Sequence, residues 1–227
     1  MEFAKPVPAD DKNYIFTEGI DYSKTSQTSI WGPEDRPTQD MLRRTVKEGS
    51  TWVNLAAGDG RYNTLIASIA SKVVDVDIDR GALNKLFENT PEIYKERLQL
   101  ETFNLVEKFP LESDMYDGVF NSGTLYLFPE EVFVKMASEI SRILKVGGYI
   151  AIELAVNIKR VSPTGESVVF GDEPLYSREE AVEVMNRVFP GFDIKYSDGD
   201  MVQCPVPEAN PPYDFSCDTL LVEGRKL

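Results

Sequence analysis

Two glycines separated by one residue stand between an apolar segment and an amphipathic one, at residues 54–60 with the sequence NLAAGDG. Gly58 and Gly60 allow the backbone to turn tightly and to approach a ligand without a Cβ in the way. The N-terminus of a following helix would offer N–H groups to a polar or negative group. The spacing therefore predicts either a ligand cradle or an ordinary strand–helix turn.

Asp77 ends a second apolar segment, within the sequence VDID at residues 76–79. A carboxylate at the end of the second strand of an α/β sheet suits a bidentate contact with ribose hydroxyls, a feature that nucleoside cofactors share. The alternative for Asp77 is the N-cap of the next helix. For Asp79, directly before the helical pattern, the cap is the simpler prediction.

Short apolar segments alternate with amphipathic ones from Thr51 onward, which predicts a parallel sheet with right-handed crossovers. The predicted strands are Trp52–Ala56, Lys72–Asp77, Leu98–Phe103, Tyr116–Phe120 and Tyr149–Leu154. The predicted helices are Thr38–Val46, Tyr62–Ala70, Arg80–Asn89 and Glu130–Leu144. In such a sheet ligands bind at the carboxyl ends of the strands, where the turn at 54–60 and Asp77 would meet.

The alternation stops after Leu154. Residues 155–176 and the proline-rich residues 201–217 predict loops, and a capping box at Ser177 predicts the start of another helix. Two further predicted strands, which suit an antiparallel hairpin at one sheet edge, are Phe192–Ser197 and Thr219–Glu223. We therefore expect an N-terminal cap segment at residues 1–49. Residues 50–227 would form one α/β domain with a doubly wound, mostly parallel, Rossmann-like sheet.

The charge of the chain limits its partners. Lys and Arg number 24, and Asp and Glu 38, among the 227 residues, which gives a net charge of −14. Such a surface repels phosphate backbones, so nucleic acid is not an expected partner. No apolar run approaches the roughly 18 residues that span a bilayer, and the first residues lack a secretory pattern. We therefore expect a cytoplasmic protein without membrane contact.

The chain has no histidine and only two cysteines, Cys204 and Cys217. Histidine is the commonest protein ligand for transition metals and the commonest general base. No metal site is therefore predicted. Without a secretion signal, the two cysteines are expected to be thiols rather than a disulfide.

Five segments follow one another as motifs do in the class I S-adenosylmethionine-dependent methyltransferases. They are VNLAAGDG at 53–60, VDI at 76–78, FNL at 103–105, YDGVFNS at 116–122 and LKVGGY at 144–149. The chain resembles this family, and within it the small-molecule type (methyltransferase domains 11 and 25), strongly over residues 50–154 and more loosely beyond. The resemblance implies a seven-stranded sheet whose last strand inserts antiparallel, with S-adenosylmethionine as the cofactor.

The resemblance also implies which residues contact the methionine and ribose parts of the cofactor. Gly58 and Gly60, with the backbone of Ala56 and Ala57, would pass beside the methionine part. Asp77 would bind the ribose hydroxyls.

The adenine and the reacting end are assigned in the same way. Ile78 would pack on one face of the adenine, and Asn104 and Leu105 would recognise its edge. Asn121 and Ser122 would face the methionine end and the substrate.

Two residues of the glycine turn depart from the family pattern. The family usually has an acid where this chain has Asn54, and a glycine where it has Ala56. Ala56 narrows the turn by one methyl group, which the turn tolerates if the φ of Ala56 is negative. Asn54 removes a carboxylate from the neighbourhood of the cofactor's amino group, which favours weaker cofactor binding.

Methyl transfer needs a base only when the acceptor loses a proton early. In a chain without histidine, Tyr126 and Glu153 are the candidates, because they lie at the carboxyl edge of the predicted sheet. For Tyr126, aromatic packing under a loop is the alternative. A lid over the site, or equally a static cap, is predicted from Tyr22, Trp31 and the loops 155–176 and 201–217.

The acceptor is expected to be a small molecule. The chain is acidic, and residues 121–124 lack the Asn-Pro-Pro-Tyr motif of methyltransferases that modify the amino groups of bases or glutamine. Two rival functions stay open. A nicotinamide-dependent oxidoreductase shares the glycine turn and the acid, but its fingerprint has a third glycine where Asn63 stands. A non-catalytic module that binds S-adenosylmethionine would account for Asn54 and Ala56. Both a monomer and a homodimer are compatible with the sequence.

Overall fold

The computed structural model describes residues 21–25, 29, 32, 34–169, 172–207, 209 and 211–227. The strands are β1 (Thr51–Leu55), β2 (Lys72–Asp77), β3 (Leu98–Thr102), β4 (Tyr116–Ser122), β5 (Leu144–Val161), β6 (Phe192–Asp198), β7 (Val202–Val206) and β8 (Tyr213–Lys226). The α-helices are α1 (Arg36–Thr45), α2 (Asn63–Ile69), α3 (Arg80–Asn89), α4 (Glu92–Lys95), α5 (Glu130–Ile143) and α6 (Arg178–Val188). Short 3₁₀ helices occur at Tyr22–Lys24 and Leu125–Leu127.

The strands form one sheet in the order β3-β2-β1-β4-β5-β8-β6, with β7 paired to β8 beside this path. The five strands from β3 to β5 are parallel, and β8 runs antiparallel to both β5 and β6. The predicted doubly wound, mostly parallel sheet with an antiparallel edge is therefore confirmed. The sheet has eight strands in the described residues rather than the expected seven, because β7 is added to the seven-stranded path.

The predicted loops at 155–176 and 201–217 are wrong in part. β5 continues for 18 residues to Val161, beyond its expected end at Leu154. A β-bulge between Val156 and Lys159 lets it continue, and inside that bulge Asn157 takes a φ of 54°. In the second segment β7 is a strand, and β8 begins at Tyr213. β7 accommodates a proline because it lies at an edge of the sheet, where a missing N–H is tolerated.

These additional lengths of strand form a small antiparallel extension at the carboxyl edge of the parallel strands. It consists of residues 155–161 of β5, β7, and residues 213–218 of β8, and we call it the extension. Arg160 and Glu173 form an ion pair there at 2.6 Å, with side chains that are each only 1% exposed. The Arg160 guanidinium also lies over the rings of Tyr213 and Phe215. The extension therefore has its own buried interactions and projects past the parallel strands.

Helices cover both faces of the sheet. One face packs against α1 and α2 through a cluster that includes Met41, Ile66, Trp52 and Phe120. The other face carries the larger core, which includes the buried residues of α5 and α6. The capping box at Ser177 is confirmed at the start of α6. Within the part of the chain that the structure describes, no helix is both long and apolar enough to cross a bilayer.

Candidate functional site

A cavity lies at the carboxyl ends of the parallel strands, between the turn after β1 and the extension. Most of the residues that the sequence predicted for a site line it: Tyr22, Asn54, Ala56, Ala57, Gly58, Asp77, Ile78, Asn104, Leu105, Ser122, Tyr126 and Glu153. Two predicted residues, Gly60 and Asn121, do not line it. Trp31 lies outside the described residues.

The turn after β1 is built from left-handed backbone conformations. The φ angles are 50° at Ala56, 54° at Gly58 and 88° at Gly60. The N–H of Ala57 donates to the carbonyl of Val76 at 2.8 Å, which ties the turn to the end of β2. Ala56 therefore does not meet the condition of a negative φ under which it would fit the turn without strain. The chain leaves β1 through a conformation that glycine adopts readily and alanine adopts only with strain.

Gly60 and Asn121 have packing roles that explain why they lie away from the cavity. A Cβ at Gly60 would stand 2.8 Å from Cγ of Leu86, so this glycine allows α3 to approach the turn. The Asn121 side chain is completely buried, and its Nδ2 donates to the carbonyl of Leu55 at 2.7 Å. Its Oδ1 accepts from the backbone N–H of Leu125 at 3.3 Å. Asn121 therefore holds β1 and the following loop together, and its side chain does not line the cavity.

Replacing Ala56 with glycine is expected to raise the free energy of unfolding by about 0.5–1 kcal/mol. Relief of the left-handed conformation, about 1–2 kcal/mol, exceeds the backbone entropy that the new glycine loses on folding. Ala57→Gly is the matched control, because Ala57 is not among the residues with positive φ and should lose stability instead. Urea unfolding of both variants without ligand measures the difference. Equal losses in the two variants would contradict strain at Ala56.

The Asp77 carboxylate joins the turn after β1 to the start of α3. Its Oδ2 accepts from the N–H of Gly58 and its Oδ1 from the N–H of Asp79, both at 2.9 Å. Burial raises the pKa of Asp77 to about 6, although these backbone N–H groups act in the opposite direction. The N-cap of α3 is Asp79 and not Asp77. Asp77 is therefore a largely ionised acceptor at neutral pH, at the rim of the cavity.

One end of the cavity is formed by the residues that follow β2 and β3. Ile78, Phe103, Asn104 and Leu105 line it. Asn104 also shapes its own loop, because its Oδ1 accepts from the N–H of Val106 at 3.1 Å. The result is an apolar slot with one amide group at its edge.

The N-terminal segment closes over the glycine turn. Tyr22 lines the cavity, and its hydroxyl stands 3.9 Å from where a Cβ on Gly58 would be. The Ser29 hydroxyl donates to Asp59 Oδ1 at 2.8 Å. Lys85 Nζ donates to the carbonyl of Thr25 at 3.4 Å. These contacts hold described residues of the cap segment against the turn and against α3.

Glu153 is the centre of a buried polar cluster. Its Oε2 accepts from the hydroxyls of Thr38 at 2.6 Å and Tyr62 at 2.9 Å. Its Oε1 accepts from the Ser122 hydroxyl at 2.8 Å and lies 3.5 Å from the Arg61 guanidinium. Sequence reasoning missed Thr38, Arg61 and Tyr62. The position of Arg61 and Tyr62 directly after the glycine turn was the available signal.

In the same cluster, the Tyr62 hydroxyl lies between the carboxyl groups of Asp35 and Glu153. The Tyr62 hydroxyl contacts Asp35 as well as Glu153, yet it has one proton to donate. Burial raises the pKa of Glu153, although Arg61 opposes the rise. Burial also acts to raise the pKa of Asp35, but hydrogen bonds from Tyr62 and Thr38 outweigh it and hold that pKa below its usual value. Of the two acids, Glu153 is therefore the one that carries a proton more readily.

The opposite end of the cavity is formed by the extension and by the 3₁₀ helix after β4. Its lining is apolar and aromatic: Tyr126, Leu127, Phe128, Ala155, Val202, Phe215 and Cys217. Burial raises the pKa of the Cys217 thiol to about 12, so the thiol is neutral. Cys204 and Cys217 are not joined by a disulfide in the described residues. The described residues also contain no cluster of three or more His, Cys, Asp or Glu side chains able to hold a metal ion.

Comparisons with known proteins agree with this architecture. A family model described as a methyltransferase domain matches residues 53–152. Among solved structures, DhpI in its SAH complex is 15% identical with a TM-score of 0.60, over 84% of this chain and 83% of that one. A SAM-dependent methyltransferase from Methanosarcina mazei is 13% identical with a TM-score of 0.62, over 82% and 97%.

The [4+2]-cyclase SpnF is also similar, with 16% identity and a TM-score of 0.61, over 85% of this chain and 80% of that one. No protein with a curated description matches the sequence. At identities this low, the solved structures have the fold in common with this chain, and SpnF is named for a reaction other than methyl transfer.

Proposed function

Because a methyltransferase domain model matches residues 53–152 and the fold is shared with a SAM-dependent methyltransferase, we propose that the protein transfers a methyl group from S-adenosylmethionine to a small, largely apolar molecule. One observation carries the proposal. The Asp77 carboxylate and the glycine turn border the same cavity, whose far end has an apolar and aromatic lining. A nucleoside cofactor and an apolar acceptor therefore have adjoining places.

The residues of the first end suit the parts of S-adenosylmethionine. The Asp77 carboxylate suits ribose hydroxyls, because each oxygen keeps lone pairs beyond the backbone N–H group that it accepts. Ile78 and Leu105 provide apolar surface for an adenine, and Asn104 provides polar contacts at its edge. Gly58 leaves the backbone of the turn open to the methionine part. Trp31 and Tyr22 remain candidates for the cover of the site, Trp31 on sequence grounds alone.

The bound cofactor supplies a methyl group that is already activated on a sulfonium, so the protein's contribution is to align the acceptor and to exclude water. The extension performs both tasks in this proposal. Phe215 and Val202 provide apolar walls against which a flat or aliphatic molecule packs. Tyr126 and Leu127 face it from the 3₁₀ helix after β4. An acceptor held there has its reacting atom towards Ser122 and Glu153.

Glu153 is the first candidate for the base and Tyr126 the second. Glu153→Gln is expected to lower kcat at least 100-fold for an acceptor that loses a proton, since general base catalysis contributes roughly 10²–10⁴-fold. Tyr126→Phe is expected to lower it less than tenfold, because the ring keeps its packing. Glu179→Gln, on the exposed side of α6, is the matched control. A larger effect of Tyr126→Phe than of Glu153→Gln would reverse the assignment.

A thermal shift experiment tests the function directly, because a ligand that binds the native state raises its melting temperature. S-adenosylmethionine and S-adenosylhomocysteine are expected to raise it, and NADH is not. Incubation with methyl-labelled cofactor and a panel of small aromatic and aliphatic alcohols, amines and thiols then identifies the acceptor. A shift with NADH alone would instead favour a nicotinamide-dependent oxidoreductase.

A binding module without turnover is the second candidate. The strained Ala56 and the amide at Asn54 are the observations that favour it, since both depart from the family's glycine turn. Cofactor binding with no transfer to any acceptor of the panel would favour this candidate. Formation of S-adenosylhomocysteine that depends on the acceptor would exclude it.

A further inference from the structure

Asn54 and Asp75 form a polar pair that joins the site to the interior of the sheet. They are register partners on the parallel strands β1 and β2, so their side chains are on the same face. Asn54 Nδ2 donates to Asp75 Oδ1 at 3.0 Å. Asn54 lines the cavity, whereas Asp75 lies behind it and does not.

Asp75 has an unusual environment for an acid. It is 0% exposed, and in the described residues its Oδ2 has no hydrogen-bond partner. Burial raises its pKa to about 7, with the hydrogen bond from Asn54 acting in the opposite direction. A buried carboxyl group with one hydrogen bond reduces stability, so its presence calls for a task that offsets this cost in function. Its contact with Asn54 indicates what that task is.

The hydrogen bond with Asp75 fixes the orientation of the Asn54 amide, whose NH₂ and carbonyl ends could otherwise exchange places. An ionised carboxylate can only accept hydrogen bonds, and a carboxyl group that is protonated on Oδ2 still accepts at Oδ1. In both states the NH₂ of Asn54 points to Asp75, and the carbonyl oxygen is the end that remains for a ligand. The neighbour of Asn54 on the other side is Phe120 of β4, which offers no competing polar contact.

We propose that Asp75 is a positioning residue that holds the Asn54 amide with its carbonyl oxygen towards the cavity, where that oxygen accepts a hydrogen bond from the ammonium group of S-adenosylmethionine. The inference rests on the proposed function. The family usually has an acid at position 54. This chain instead has an amide acceptor there, on β1, and a carboxyl group beside it, on β2. Asn54 is then part of a working site and not a degenerate one.

Asp75→Leu tests the role of the carboxyl group, because leucine has the same branching and neither accepts nor donates. The amide of Asn54 then has no acceptor behind it and turns its NH₂ towards the cavity. Affinity for S-adenosylmethionine and S-adenosylhomocysteine is expected to fall at least tenfold. Affinity for 5′-methylthioadenosine, which has the adenosine part but no ammonium group, is expected to change less than twofold. Isothermal titration calorimetry measures all three.

Exchanging Asn54 and Asp75 tests whether the affinity for S-adenosylmethionine can be restored. Asp75→Asn alone leaves two amides that can pair in either sense, and is expected to lose part of the affinity for S-adenosylmethionine. In Asn54→Asp/Asp75→Asn the new amide donates to the new carboxylate, which again presents an oxygen to the cavity. This double variant is expected to bind S-adenosylmethionine at least as tightly as the unchanged protein.

The outcomes separate the possible failures. Equal loss for all three ligands in Asp75→Leu, or a double variant that binds no better than Asp75→Asn, would overturn the positioning role. Should Asp75→Leu fail to fold, the comparison of the double variant with Asp75→Asn decides by itself. If the unchanged protein binds none of the three ligands, the result contradicts the proposed function itself, independently of the role of Asp75.

Discussion

Replacement of Asp77 with alanine is expected to weaken binding of S-adenosylmethionine at least tenfold. The carboxylate would accept hydrogen bonds from two ribose hydroxyls, and a hydrogen bond to a charged group contributes about 1.5–3 kcal/mol. Loss of one such bond already exceeds the roughly 1.4 kcal/mol that corresponds to a factor of ten. Calorimetric titration of the purified protein measures the change.

Controls are needed because Asp77 also organises the turn. Its removal leaves the N–H groups of Gly58 and Asp79 without the acceptor that they have in the structure. Asp77→Asn keeps the shape and one acceptor, so it is expected to lie between the unchanged protein and the alanine variant. Asp193→Ala, on an exposed position of β6, removes the same charge far from the cavity and should change nothing. Unchanged affinity in Asp77→Ala would remove Asp77 from the site.

The pKa of Asp77, which burial raises to about 6, predicts opposite pH dependences for binding and folding. The ionised carboxylate is the better acceptor, so cofactor affinity should fall as the pH drops through about 6. Because the folded pKa lies above the unfolded value of about 3.9, the contribution of this group to folding stability is greatest below pH 4. That contribution is lost as the pH rises through about 6. Asp77→Asn should flatten the binding profile.

Glu173→Ala is expected to reduce the free energy of unfolding by about 3–5 kcal/mol. It leaves the Arg160 guanidinium, in a side chain that is 1% exposed, without the carboxylate 2.6 Å away. Removing one partner of a buried ion pair is far more costly than removing an exposed one. Urea denaturation monitored by circular dichroism gives the value.

Two comparisons make this result specific. In Arg160→Met/Glu173→Leu no charge is left buried, so most of the lost stability is expected to return. Arg187→Ala breaks an exposed pair with Glu130 and is expected to change the free energy of unfolding little, because water and salt screen an exposed pair. A loss below about 1 kcal/mol in Glu173→Ala would show that water reaches the Arg160 guanidinium. Since this pair secures the extension, acceptor binding should weaken more than cofactor binding.

The end of the cavity formed by the glycine turn and Asp77 is predictable from sequence, because the residues that form it are local in the sequence. The glycine turn and Asp77 each follow directly after a strand, and a parallel sheet brings such ends together. The φ of Ala56 was not predictable in this way. It depends on how the turn meets the end of β2, which the residues of the turn alone do not reveal.

The end of the cavity that the extension lines was not predicted from the sequence, because its parts are far apart along the chain. Val156, Ile158 and Arg160 are the buried positions of a strand whose residues alternate between buried and exposed. The alternation of apolar and polar residues is not visible in the sequence, because one buried position is an arginine and a bulge occurs at Asn157. Pro205 argued against a strand at 202–206, although an edge strand tolerates it. Asn121 was misplaced for a related reason. A polar side chain at a strand end suggests contact with a ligand, but the partners of this one are the backbone groups of Leu55 and Leu125.

The order of the strands has a consequence for how this protein acquires its structure. β8 is the last strand along the chain, yet it lies between β5 and β6 and also holds β7. Until it inserts, β5 and β6 each have an open edge with unpaired N–H and C=O groups, which is where strands of different molecules associate. Pairings between residues so distant in the sequence form slowly, because the intervening chain must first be ordered. Aggregation during refolding should therefore compete with the insertion of one strand, and the extension should be among the last parts of the molecule to form.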